Sequence, residues 1–246
     1  MAREGYLLHA GEEEIHKGDA ELKADTPRKK WDNFWFYHKM HVIIAIVLIA
    51  LVAFFIRDMV TKVNPDYEIG MITQATYPSD MTDSLEKQLE KYADDRNGDG
   101  KVTVQINQYV LAAGTEPDPS MAQMQQASFV KLSADLSSGT SVIFITDEPS
   151  LEYQQKNTQI FSYLDGATPK EGAKDYDKMR IGFPKCKNLA PLKYDMTLAS
   201  GGKGNLYDNL GVSLRVYKGS AMEGNEKLEK YYADSKKLFD KLVYGK

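Results

Sequence analysis

The sequence predicts an α/β fold: one N-terminal transmembrane helix, then a doubly wound, mainly parallel-sheet lobe that closes with a C-terminal helix. Three features carry that expectation. Val42–Ile56 is an unbroken apolar run of 15 residues in a chain of 246. Between Tyr67 and Leu164, segments of strand-like and helix-like periodicity alternate, as βαβ units require. Residues 223–243 then repeat apolar side chains at helical spacing.

The first 30 residues hold 6 basic and 7 acidic side chains and almost no core formers, so residues 1–30 are expected to be a disordered cytoplasmic tail. His9, Glu12, Glu13 and His16 fall close together there, but nothing in so polar a stretch would bury or orient them as metal ligands. The apolar run alone is shorter than the ~20 residues that cross a ~30 Å hydrocarbon core. Trp31, Phe34, Trp35, Phe36 and Tyr37 supply the remainder as an interfacial aromatic belt, and Lys39 can snorkel to the headgroups, so the anchor is drawn at 31–57. The run starts late for a secretory signal and no small-x-small site follows it, which favours an uncleaved signal-anchor. Arg28, Lys29, Lys30 and Lys39 precede it, whereas only Arg57 and Lys62 follow closely. The positive-inside rule therefore puts the N-terminus in the cytoplasm and the rest outside the cell. Residues 58–66 read as a linker and 67–246 as an extracytoplasmic α/β domain.

Within that domain Tyr67–Thr73 is a strand by its β-branched content, stopped by Tyr77-Pro-Ser-Asp. Ser79 or Asp80 caps a helix to about Asp94, with Met81, Leu85, Leu89 and Tyr92 at helical spacing. Lys101–Val110 alternates as a strand, and Ser120–Leu136 reads as a helix burying Met121, Met124, Phe129 and Leu132. Ser141–Thr146 is a short apolar strand of the kind covered on both faces, and Leu151–Leu164 is a further helix. Residues 166–204 are rich in Gly, Lys and Pro, and Leu206–Tyr217 looks like a strand pair or one bent strand. The terminal helix places Leu228, Tyr231, Tyr232, Leu238, Phe239 and Leu242 toward the sheet.

Residues 57–246 carry 24 basic and 27 acidic side chains, with no Lys/Arg stripe interleaved with aromatics, so nucleic acid is not an expected partner. All four His (9, 16, 38 and 41) precede the domain, which excludes His-dependent nucleophilic pairs and His-rich zinc sites there. Gly201-Gly-Lys-Gly204 lacks the spacing of a phosphate-binding P-loop. The one cysteine, Cys186, forms no intrachain disulfide; it reads as a small loop residue, with an intermolecular disulfide or a reactive thiol as the alternatives.

WDNFWFYHK before the anchor, PDYEIGMIT after it, DRNGDGKVTV and KLSADLSSGTSVIFITDEPS together resemble small, uncharacterised single-pass membrane-anchored proteins of Gram-positive, clostridia-like bacteria. The α/β part is similar to one lobe of the extracytoplasmic solute-binding proteins. That resemblance implies a strand such as VIFIT ending in a ligand-facing loop. A full two-lobed binding protein needs a second lobe as large as the first, and only residues 166–246 remain for it, so a cleft between lobes is not carried over.

Asp95-Arg-Asn97-Gly-Asp99-Gly100-Lys101 matches D-x-N-x-D-G, the first half of an EF-hand-type calcium loop. Side-chain oxygens of Asp95, Asn97 and Asp99 with the Lys101 carbonyl would form the ligand set. Position 12 is Ile106, not Glu, and a strand follows, so a helix-ending turn built on Asn97, Gly98 and Gly100 stands beside the calcium reading. Ligands of doubly wound sheets sit at the carboxyl ends of strands, which makes Thr76, Tyr77, Thr115, Asp147 and Glu148 the candidate ligand-facing residues. These readings converge on a non-catalytic binding or interaction module, held in membrane lipid and presenting a surface to a ligand, an envelope component or a partner membrane protein. The alternatives are an accessory subunit of a transporter or cell-envelope complex and a carboxylate-based envelope hydrolase, although no spacing singles out an acidic pair.

Overall fold

The computed structural model describes residues 26–61, 64–111, 119–197 and 203–246. They fall into two units divided between Val63 and Asn64.

The first is a single helix, α1, Pro27–Thr61. Thr26 Oγ1 accepts from Lys29 N at 3.5 Å, and Pro27, whose missing N–H is no loss in a first turn, begins the helix. At 1.5 Å per residue it is about 50 Å long. It is long and apolar enough to cross a membrane, and the side chains from Ile43 to Ile56 are exposed. The helix starts inside the tail expected to be disordered and runs past the expected end at 57. Residues 1–25, with His9, Glu12, Glu13 and His16, lie outside the described residues.

The second unit is built on a five-stranded, mainly parallel sheet in the order β2-β1-β3-β7-β4. β1 (Tyr67–Thr73) pairs in parallel with β2 (Val104–Val110) and β3 (Ser141–Thr146). β7 (Gly211–Leu214) then adds antiparallel to β3, and β4 (Arg180–Gly182) antiparallel to β7. β5 (Asp195–Thr197) and β6 (Lys203–Asn205) form a separate antiparallel pair. Leu206–Tyr217 is thus neither a strand pair nor one bent strand: a 3₁₀ turn at Leu206–Asn209 precedes β7. Gly70 lies in the middle of β1 because the Phe144 ring occupies the space of a side chain, 2.4 Å from where its Cβ would stand.

Side chains alternate between two cores. Tyr67, Ile69 and Met71 of β1, with Ile143, Ile145, Val212 and Leu214, pack with α2 (Ser79–Glu90) and α5 (Glu226–Tyr244). Ile72, Tyr109 and Phe144 pack with α3 (Pro119–Ser138) and α4 (Glu148–Thr158). Every residue of β3 is buried, as its unbroken apolar sequence requires. α5 starts on Asn225, whose side chain accepts from Lys227 N and Leu228 N, and stops at Gly245 with φ 70°. Its buried Leu238, Phe239 and Leu242 contribute roughly 1.5–3 kcal/mol each.

Two helices differ from expectation for identifiable reasons. In α3 Leu132 is buried, but Phe129 is 58% exposed and Met124 39%. The inward positions go to Ser128 and Asp135, which bond Val110 N and the Tyr109 hydroxyl, and Phe129 is rotated away from them. α4 ends early because Gln159 takes a left-handed conformation, φ 51°, after which Ile160 and Phe161 turn into the core. β2 is an edge strand whose outward N–H groups are met by side chains. Glu90 takes Val104 N, Glu86 takes Ile106 N at 2.7 Å, and Ser128 takes Val110 N.

Candidate functional site

β1 and β3 end side by side, and Asp147 joins their ends. Its backbone is extended, φ −78° and ψ 162°, so it caps α4: Oδ1 accepts from Ser150 N at 2.9 Å. Oδ2 accepts from Gln74 N, also at 2.9 Å, and ties the segment after β1 to the segment after β3. Tyr77 is held from β2, where the Gln108 amide accepts from Tyr77 N at 3.0 Å and donates to Tyr77 O at 3.3 Å. Thr76 and Glu148 are exposed beside them. Thr115 lies outside the described residues.

Arg180 completes this edge. It comes from β4, across the short antiparallel strand β7, and its stem and guanidinium lie over Gly211, where a Cβ would approach Nε to 2.5 Å. Nε donates to Thr146 O at 3.1 Å and Nη2 to Asn209 O at 2.8 Å. Burial lowers the Arg180 pKa, while Glu148, Asp147, Cys186 and Tyr77 each favour its charged form. The Tyr77 phenol moves the other way: burial raises its pKa, Asp147 adds to the rise and Arg180 opposes it. The edge therefore gathers Tyr77, Asp147, Glu148 and Arg180 into one polar surface of mixed charge, two carboxylates beside one guanidinium. Its groups suit recognition through hydrogen bonds and charge, because the carboxylate of Asp147 is committed to two backbone N–H groups.

Cys186 lies in a loop as expected, just after the 3₁₀ turn Phe183–Lys185, but its side chain is part of the core. It is 0% exposed, its Sγ lies 3.4 Å from Gly182 O, and burial pushes its pKa up to about 12 against the pull of Arg180.

The Asp95–Lys101 loop lies ahead of β2. Asp95 Oδ1 accepts from Gly98 N and Oδ2 from Gly100 N, Asn97 Oδ1 from Asp99 N, and Asp99 Oδ1 from Lys101 N. From outside, the buried Asp66 accepts from Arg96 N, Asn97 N and Thr103 N at 2.6–2.9 Å. These oxygens serve the backbone of a tight turn, and Gly98 and Gly100 supply its positive φ values. Among the described residues, no group of three or more His, Cys, Asp or Glu is placed to hold a metal ion.

Sequence reasoning missed Gln108 and Arg180 at the carboxyl edge, and Asp66 and Asp135 deeper in. Asp135 accepts from Tyr109 Oη at 2.5 Å, Ser141 N at 2.7 Å and Ser141 Oγ at 2.6 Å. The one available signal was an acid at an inward helical position of α3. No family model, curated protein or solved structure matches the chain.

Proposed function

We propose that the chain is a single-pass membrane protein whose N-terminal tail stays in the cytoplasm and whose α/β domain works outside the cell as a non-catalytic binding or interaction module. The observation that carries this reading is α1, a helix of membrane-spanning length whose apolar side chains are exposed, followed in sequence by a compact domain with its own core. The lobe is read as doubly wound, with helices on both faces of β1, β2 and β3. Its ligand or partner, an envelope component or another membrane protein, meets the carboxyl edge around Tyr77, Glu148 and Arg180.

The test is fractionation and protease treatment of cells carrying a C-terminally tagged chain. The chain should stay in the membrane pellet through alkaline carbonate washing, and protease added to intact cells should remove the tag. Release into the soluble fraction, or a tag protected until the cells are lysed, would defeat the proposal.

A further inference from the structure

A second polar site lies at the other end of the sheet. β7 runs antiparallel to β3, so the chain leaves β7 where the parallel strands begin. There a cavity of about 310 Å³ lies among residues from the C-terminal ends of α3 and α4 and the segment after β7. Its size falls at the small end of the ~300–1,000 Å³ range of ligand pockets. Arg215 forms part of its wall although it is only 4% exposed. Its Nη2 donates to the Leu136 carbonyl and its backbone N–H to Val142 O, but Nη1 is buried without an acceptor. Asp135 is the acid that acts on Arg215, yet its carboxylate is turned to Tyr109 and Ser141, and no ion pair to Arg215 forms among the described residues.

A buried guanidinium with a donor unmet is unfavourable until an anion or an ordered water completes it. The cavity beside it is lined by a second cation, the exposed Lys218, and by Gln155, Thr158 and Thr168, with no Asp or Glu. The helix ends nearby contribute carbonyls, not N–H groups, so the positive charge comes from the two side chains alone. We infer that this cavity binds a small oxyanion, a carboxylate or a phosphate, with Arg215 and Lys218 as its charged partners. The site is independent of where in the cell the domain works.

The experiment is calorimetric titration of the full chain in an uncharged detergent, with inorganic phosphate and, separately, with succinate. Saturable binding of at least one is expected, and the preference between them identifies the head group. Lys218→Glu, at an exposed position, should weaken binding about tenfold or more, the scale of one charge-assisted contact. Arg215→Lys keeps the charge but loses the planar fork, and should weaken it similarly. Binding of neither anion overturns the inference, and so does binding that Lys218→Glu leaves unchanged.

Discussion

Arg180 and Arg215 stand at opposite ends of the sheet, and burial lowers the pKa of both. At the carboxyl end, Arg180 spends Nε and Nη2 on two carbonyls and has Glu148 and Asp147 close enough to favour its charge. At the amino end, Arg215 is more deeply buried, keeps a donor unmet, and has only a carboxylate already engaged elsewhere. The same side chain thus meets protein acceptors and solvent at one end of the domain, and at the other leaves a nitrogen sealed from both.

The largest expected effect probes the amino end. Asp135→Ala leaves Tyr109 Oη and Ser141 N buried without their acceptor and should cost about 3 kcal/mol in urea denaturation, given ~1–3 kcal/mol for each buried group left unsatisfied. A cost as small as that of a surface substitution would mean Asp135 does not organise that end. At the carboxyl end, Gly211→Ala should cost about 2 kcal/mol by displacing Arg180, and Arg180→Ala about 1–2 kcal/mol through two lost hydrogen bonds. The double variant should cost less than the sum, since removing the guanidinium makes room for the new methyl group. Strict additivity would show that Arg180 does not depend on the gap at Gly211.

Asp95→Ala should cost about 1 kcal/mol through its two backbone hydrogen bonds, equally with and without millimolar calcium. A calcium-dependent rise in the Tm of the parent chain that Asp95→Ala abolishes would decide for the metal reading. The smallest effect concerns Glu86 on the sheet edge. Burial raises its pKa, the bond from Ile106 N lowers it, and Asp83 and Glu90 raise it further. The folded state therefore holds the proton more tightly than the unfolded one. Its contribution to stability is full below the ordinary carboxylate value and is lost as pH rises through the raised one. Glu86→Gln keeps an acceptor for Ile106 N and should remove that slope, changing stability at neutral pH by no more than about 0.5 kcal/mol.

Strands β1 and β3 were legible because runs of seven and six residues dominated by β-branched and apolar side chains leave no competing period. The apolar run of α1 and the stripe of α5 were legible for the same reason. β4 and β7 were not, since three and four residues bounded by glycine carry no alternation to read. Phe129 misled because helical spacing counts apolar residues, whereas Ser128 and Asp135 hold the inward positions through bonds to partners distant in sequence. The candidate edge was half legible. Asp147 and Tyr77 follow strand ends, but Arg180 reaches that edge only through a β4–β7 pairing that no local pattern announces.

The setting of Cys186 gives the molecule an internal clock. Its thiol is sealed in the core and holds its proton far above neutral pH, so an alkylating reagent has no target while the domain is closed. Each modification event must wait for an opening. With one such group per chain, the labelling rate under native conditions reports how often this part of the domain comes apart.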